Sequence, residues 1–188
     1  MGLLAQWDGS PHPWFGPDHP PCSLLHATDD ATNTVLGMVF RPHEDTIGYL
    51  CLLDMILRCH GAPAAVYQDR HSALVRTDPH WSHEEELAGT RFPTHVGRVL
   101  EELGIQAIPA YSPQAKGRIE RQGGTFQDRL IAELALAGIT DIETANPWLE
   151  TTFLPRFNAR FAKVPDQPWS SFRPIKAAER YRLVAFAY

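Results

Sequence analysis

Three acidic residues lie in segments that suit chemistry on a phosphodiester. Asp8 follows the apolar run LLAQW, Asp69 ends the run AAVYQD, and Glu120 lies within YSPQAKGRIERQGGTFQDRL (111–130). Carboxylates that converge repel one another unless a cation neutralises them. Mg²⁺ prefers oxygen ligands and is commonly held by one or two carboxylates together with water and phosphate oxygens. If the chain brings these three residues together, the expected site is a divalent-metal centre that acts on a phosphate ester.

Two glycines beside Glu120 raise a second question. Gly123 and Gly124 fall in the first turns of an expected amphipathic helix, where each costs about 1 kcal/mol relative to alanine. Residues three and four positions apart share a helix face, so both glycines adjoin Glu120. They could let a DNA backbone approach closely, or they could let the helix pack closely on a neighbour, and the sequence leaves both readings open.

The composition bounds the class of protein. The chain has 188 residues, 44% of them hydrophobic, and a formal net charge of −5, which suits one domain with an extension. Cys22, Cys51 and Cys59 form no CxxC pair and are expected to be reduced in a cytoplasmic protein. The chain has no signal-peptide pattern and no long apolar run, so we expect neither secretion nor a membrane partner.

The first half of the chain predicts three strands and a helix. LLAQWDGS reads as a strand that runs into a turn at Asp8 and Gly9. Residues 23–27 and 33–40 are rich in strand formers and flank Asp-Asp-Ala-Thr-Asn, which predicts a hairpin. Residues 44–60 show helical spacing of apolar residues and stop at Gly61, a typical C-terminal cap.

The second half predicts alternating strands and helices. We expect a strand at 64–69, a long loop at 70–92, a helix at 94–104 and a strand at IQAIPA. Residues 143–163 look helical around two prolines. The helix that contains Glu120 has an expected core face of Ile119, Phe126, Leu130, Ile131 and Leu134.

This order predicts a mixed five-stranded sheet with helices on both faces, an α/β arrangement of the RNase H-like fold. The first and fourth strands are neighbours in that fold, so Asp8 and Asp69 would emerge at one edge and Glu120 could close the site. We expect residues 1–138 to form the catalytic core and residues 139–188 to form a helix and an irregular extension that pack on it.

Ordered motifs carry a resemblance to a known family. WDGS, VYQDRHS and AYSPQAKGRIERQGGTFQDRL resemble the DDE motif of the retroviral-integrase superfamily, and the last is similar to its Y-x-P-Q-x-x-G-x-x-E signature. The match is most specific to bacterial insertion-sequence transposases, in which DGS-x-H-x-W, DDAT and YSP-x-x-KGR-x-ER recur. FLPRFNARFAKVP also resembles a Y-N-x-R segment of that family. The resemblance covers about residues 5–165.

The resemblance implies a transposase or integrase core. Asp8, Asp69 and Glu120 would be both the catalytic residues and the ligands of Mg²⁺ or Mn²⁺, with two ions when DNA is bound. Water would attack a phosphodiester at the element's end, and the freed 3′-hydroxyl would attack target DNA in strand transfer. The implied partners are DNA, as element ends and target, and further copies of the chain in a homo-oligomer.

The chain departs from the family in two ways. The interval between Asp69 and Glu120 is longer than in retroviral members, which fits an insertion in the loop at 70–92. The chain also lacks an upstream helix-turn-helix region and a His-His-Cys-Cys zinc module, so it resembles a catalytic core in isolation. A non-catalytic remnant that binds DNA weakly, and an RNase H-like nuclease that only hydrolyses, are the alternatives.

Several other polar residues admit two interpretations. Lys116, Arg118 and Arg121 could form a solvated face, but we expect them to contact phosphates. His12 is a further candidate for DNA binding. Each acid alone has an ordinary explanation as a turn, strand-end or exposed helix residue, and only their ordered combination indicates a site.

Neighbouring acidic and histidine residues are assigned to other roles. Asp29 and Asp30 could be additional ligands, but the hairpin position favours turn residues. Trp14 could line the site or be an interfacial aromatic. The histidines have no compact zinc spacing with a cysteine pair, so a structural zinc site is not expected.

Overall fold

A five-stranded mixed sheet forms the centre of the protein in a computed structural model that describes residues 1–110 and 117–180, the side chains of 117–122 excepted. The strand order is β3-β2-β1-β4-β5. The first three strands pair antiparallel, and β4 pairs parallel with both β1 and β5. This confirms the predicted RNase H-like arrangement. The strands are β1 Leu4–His12, β2 Cys22–Asp29, β3 Val35–Arg41, β4 Ala65–Gln68 and β5 Gln106–Pro109.

Helices cover both faces of the sheet, as predicted. One apolar cluster packs α1 and α3 on one face, and a second packs α4, α5 and α6 on the other. Among the described residues, no helix is both long enough and apolar enough to cross a bilayer. The helices are α1 Thr46–Cys59, α2 His83–Ala88, α3 His95–Glu102, α4 Gly117–Leu136, α5 Ile142–Trp148 and α6 Leu154–Phe161, with a π-helical turn Leu149–Phe153 between the last two.

The first strand is longer than predicted. β1 continues through Asp8 and Gly9 to His12, and its partner β2 begins at Cys22. The expected turn at Asp8-Gly9 is therefore wrong, because the chain reverses only after residue 12. Asp8 thus lies inside a strand with fixed neighbours on both sides.

Asp29 organises the second hairpin and the N-terminus. It is fully buried and accepts hydrogen bonds from the Gly2 amide at 2.6 Å, the Thr32 amide at 3.0 Å and the Thr32 hydroxyl at 2.7 Å. Asp30 accepts a hydrogen bond from the Gln6 side chain at 2.5 Å. These bonds support the assignment of both aspartates to the turn rather than to a ligand set.

The segment at 70–92 is more ordered than the predicted loop. It contains α2, which Ser82 and Glu85 start with a reciprocal capping box. Glu85 is buried, accepts from the Phe92 amide at 2.7 Å and is paired with Arg76. This S-x-x-E pattern was a local signal for a helix, and our prediction of a plain loop overlooked it.

The edge strand β3 is covered by two asparagine side chains. Asn158 of α6 accepts from the Val35 amide at 2.8 Å and donates to the Val35 carbonyl at 2.9 Å. Asn146 of α5 does the same for Phe40, at 2.7 and 3.1 Å. An open edge would otherwise present unpaired backbone groups to other chains. The asparagine of the FNAR segment therefore has a structural role.

We expect Asn158→Ala to lower the free energy of unfolding by about 1–3 kcal/mol, because both hydrogen bonds to Val35 are lost. The shift in the urea midpoint measures this cost. Asn158→Asp keeps the acceptor and loses the donor, so its midpoint should fall between those of the wild type and Asn158→Ala. An unchanged midpoint for Asn158→Ala would contradict the role of this side chain.

Candidate active site

Asp8 projects from β1 toward the face that α4 covers. Its cross-strand partner is His26, whose Nε2 lies 3.9 Å from the Asp8 carboxylate. Its side chain is 17% exposed, so the carboxylate is accessible from outside. Successive residues of a strand point to opposite faces, and Trp7 accordingly packs in the cluster of α1 and α3.

Asp69 follows β4 directly, one residue beyond the strand's end. The parallel pairing of β1 with β4 begins at Leu4 opposite Ala65, an offset of 61 residues. Asp8 and Asp69 have the same offset, so they stand level two residues beyond the last pair. Neighbouring strands lie about 4.8 Å apart. The register therefore brings the first two predicted site residues to one edge of the sheet.

Two contacts tie α4 to this part of the sheet. The His26 ring meets Phe126 edge-on, with centroids 5.0 Å apart. Gln127 donates to the Ser10 hydroxyl at 3.2 Å. Glu120 lies seven residues before Gln127, and residues seven apart share a helix face. The helix position of Glu120 thus belongs to the face that meets β1, while its side chain lies outside the described residues.

Open space adjoins both glycines of α4. A side-chain carbon added at Gly123 or Gly124 would meet no described atom outside the helix within 4 Å. Within the described part of the chain, tight packing on a neighbouring element therefore does not account for them.

The predicted DNA contacts are only partly described. Lys116 lies outside the described residues, and Arg118 and Arg121 belong to α4 with side chains that are not described. His12 ends β1, and its ring meets Trp14 edge-on at 5.4 Å. Trp14 is fully buried against Phe40, so it is a core residue and does not line the site.

Glu44 is a residue of this site that the sequence interpretation missed. It lies just before α1, and the Tyr49 hydroxyl donates to its Oε1. The His71 Nδ1 atom lies 3.6 Å from the same oxygen. Burial raises the Glu44 pKa, and the charges of Asp69 and Asp8 raise it further, against the lowering effect of Tyr49 and His71. Glu44 therefore feels the field of both aspartates.

Tyr49 is the stable donor of this group. Burial, followed by the Glu44 charge, raises the Tyr49 pKa far above its ordinary value, so the hydroxyl keeps its proton. No short-range pattern marks this group, because Glu44 stands 35 residues from the strand that it contacts.

The raised Glu44 pKa gives a pH-dependent stability. The folded state holds this proton more tightly than the unfolded chain does, so stability falls as pH rises above the ordinary value of 4.5. Glu44→Gln removes this loss. In metal-free buffer we expect Glu44→Gln to melt higher than the wild type at pH 7, by about 2–4 °C for each kcal/mol regained. The difference should shrink as the pH falls below 4.5, and a constant difference would contradict the prediction.

The donor set at this edge suits a hard divalent cation. Asp8 and Asp69 supply carboxylate oxygens, the ligand type that Mg²⁺ and Mn²⁺ take. Their negative field raises the pKa of both Glu44 and Tyr49, as expected where carboxylates gather without a neutralising side chain. Among the described side chains, which exclude Glu120, no three His, Cys, Asp or Glu residues already stand in a metal-binding cluster.

The sheet and site define the class of fold. The mixed sheet with helices on both faces is that of retroviral integrase catalytic cores. The HTLV-2 integrase catalytic core domain in complex with magnesium aligns with a TM-score of 0.53 and 14% identity over 80% of this chain and 87% of that one. A simian T-cell lymphotropic virus intasome in complex with the PP2A regulatory subunit B56 gamma aligns with a TM-score of 0.55 and 15% identity over 97% of this chain and 54% of that one.

Sequence relatives narrow the class. The chain is homologous to transposases of bacterial mobile elements. It is 40% identical over 177 residues to a Sinorhizobium fredii protein named as transposase y4bF, which covers 94% of this chain and 37% of that protein. It is 36% identical over 160 residues to the Streptococcus pneumoniae transposase for insertion sequence IS1202, 85% of this chain and 33% of that one. The chain thus spans little more than a third of these relatives. No family model matches it.

Proposed function

We propose that the chain is the catalytic core of a DDE transposase that cuts element ends and joins them to target DNA. The supporting observation is the register that sets Asp8 level with Asp69 beside a helix that carries Glu120. The named transposase relatives support the same reaction class. Because the chain spans only part of those relatives, the full reaction would draw on segments beyond these residues.

In this proposal Asp8, Asp69 and Glu120 hold Mg²⁺ or Mn²⁺, two ions once DNA is bound. When bound, the ions would activate the attacking oxygen and stabilise the leaving oxygen of the phosphodiester. The protein positions the carboxylates on rigid strands and a helix, and positioning of this kind supplies much of the barrier reduction in such reactions. Magnesium in the HTLV-2 integrase core structures supports this choice of metal.

The proposed partners are DNA and further copies of the chain. Lys116, Arg118, Arg121 and His12 would contact DNA. The HTLV-2 integrase core is described in dimeric and trimeric forms, which supports a homo-oligomer here. A cytoplasmic location stays a prediction.

The proposal is tested with the 188-residue chain, supercoiled plasmid and either Mn²⁺, Mg²⁺ or EDTA. We expect nicked circles with either metal and none with EDTA. Calorimetric titration with Mn²⁺ should show binding without DNA. A chain that folds but neither binds Mn²⁺ nor nicks DNA would refute the metal-dependent mechanism.

The glycines of α4 give a further prediction. Gly124 is exposed and has open space beside it, so Gly124→Ala should stabilise the protein by about 0.5–1 kcal/mol. If the glycine exists to let DNA approach, the same variant should bind DNA more weakly and nick it more slowly. Thermal unfolding and a DNA titration measure the two effects.

Ala132→Gly is the matched control, because Ala132 is exposed on the same helix. This variant should lose about the same stability with no change in DNA binding. Unchanged DNA binding in Gly124→Ala would remove the close-approach explanation.

A further inference from the structure

Asp8 is bracketed on β1 by two residues that contact one buried pair. Trp7, just before it, stacks on Tyr49 with ring centroids 5.8 Å apart and an interplanar angle of 12°. Gly9, just after it, lies against the Glu44 carboxylate: a side-chain carbon added there would lie only 2.6 Å from the Glu44 carboxyl carbon. Since Tyr49 donates to Glu44, the pair supports the strand on both sides of Asp8.

This contact explains a glycine that resembled a turn residue. Gly9 lies inside β1 and pairs with Leu25, where a glycine costs strand stability. Any larger residue would displace the Glu44 carboxylate. The Asp-Gly pair therefore serves a close approach between β1 and the start of α1.

The same carboxylate reaches the chain that follows Asp69. The His71 ring lies 3.6 Å from Glu44 Oε1, beyond hydrogen-bond distance but within ion-pair range. The His71 amide donates to Asp69 Oδ1 at 3.0 Å. The His71 Nδ1 atom also accepts from the Ala73 amide at 3.3 Å, which fixes the turn. Glu44 thus faces the residue whose backbone orients the Asp69 carboxylate.

We propose that Glu44 is a positioning residue that, together with Tyr49, fixes Asp8 and Asp69 relative to each other. It acts from the α1 side of the sheet through Gly9 and His71. This inference rests on the proposed function, since it assumes that the two aspartates work together. Groups that orient ligands typically change metal affinity or activity 10–100-fold when removed.

The shape of Glu44, rather than its charge, carries this role. Gln has the same length and can still accept from the Tyr49 hydroxyl, so Glu44→Gln should keep the support. Glu44→Ala removes it. Tyr49→Phe removes only the donor and leaves the ring stacked on Trp7, so it should weaken the support partly and still fold.

The test uses the 188-residue chain and two measurements. The first is the nitrogen–proton NMR signal and exchange rate of the His71 amide in metal-free buffer, which reports the bond to Asp69 without any activity. The second is the Mn²⁺ dissociation constant by calorimetry. Melting temperatures are recorded for every variant, and Glu102→Ala, which removes an exposed carboxylate on α3, is the matched control.

We expect Glu44→Ala to shift the His71 amide signal, speed its exchange and weaken Mn²⁺ binding about 10–100-fold. Tyr49→Phe should move both in the same direction by less, and Glu44→Gln should stay within about threefold of the wild type. Gly9→Ala should resemble Glu44→Ala. The double variant should be no worse than either single one, because both act through the same displacement.

Three results would overturn the inference. These are an unchanged His71 amide in both Glu44→Ala and Tyr49→Phe, a Glu44→Gln variant as weak as Glu44→Ala, and effects of Gly9→Ala and Glu44→Ala that multiply. Failure of the wild type to bind Mn²⁺ would instead count against the proposed function. The His71 amide would still decide whether Glu44 positions Asp69.

Discussion

Asp69→Asn is expected to reduce metal-dependent nicking and joining of DNA by at least about 10³-fold. A carboxylate that holds a catalytic metal supports several kcal/mol of transition-state stabilisation, and each 1.36 kcal/mol is a tenfold change in rate. Asparagine keeps an oxygen that can accept the His71 amide bond, which Asp69 accepts at 3.0 Å. The local turn should therefore survive while the charge is lost.

The fold of this variant should be intact or slightly more stable without metal. Removing one of several repelling charges at the sheet edge favours the folded state. Asp166→Asn, at an exposed site in the C-terminal segment, is the control for a generic loss of charge. Nicking rates with Mn²⁺, measured beside melting curves, separate the two effects. Activity retained in Asp69→Asn would remove this residue from the mechanism.

Much of the fold was predictable because it depends on local patterns. The hairpin of β2 and β3, the helix that ends before Gly61, and the helix that Thr94 caps all follow from short-range signals. Gly61 adopts a φ of +97°, which suits its place after the helix. The pairing of β1 with β4 followed from the order of the elements.

The errors have identifiable physical causes. Asp8-Gly9 looked like a turn because that dipeptide is common in turns, but Gly9 is required by the Glu44 carboxylate 35 residues away. Such a contact depends on the tertiary fold and leaves no local trace. The asparagine pairs on β3 are equally distant from it in sequence. By contrast, α2 carried a readable capping box within residues 82–85.

The candidate site divides in the same way. Asp8 and Asp69 could be placed from strand order and the motif, and the register agrees with that placement. Glu44 could not, because a glutamate before a helix is ordinary in sequence. Its importance comes only from Tyr49, Gly9 and His71 around it. Supporting residues of this kind are found from the fold, whereas the carboxylates they support are found from the motif.

Reversing Arg118 and Arg121 to Glu is expected to weaken DNA binding on the order of tenfold or more at low salt. The chain carries a formal net charge of −5, so its affinity for DNA depends on local cations. Both arginines belong to the first turns of α4, next to Glu120. Each lost phosphate contact should also lower the slope of log affinity against log salt by about one.

The loss should be similar for all DNA sequences, because phosphate contacts position a protein without reading bases. Arg98→Glu with Lys176→Glu gives the same change in net charge at two exposed positions away from α4. Fluorescence anisotropy at two salt concentrations, with two unrelated duplexes, compares the pairs. Equal losses in both double variants would mean that net charge, and not the start of α4, governs binding. Tight and salt-insensitive binding to one duplex would show that residues 1–188 read sequence themselves, and the phosphate-contact interpretation would then fail.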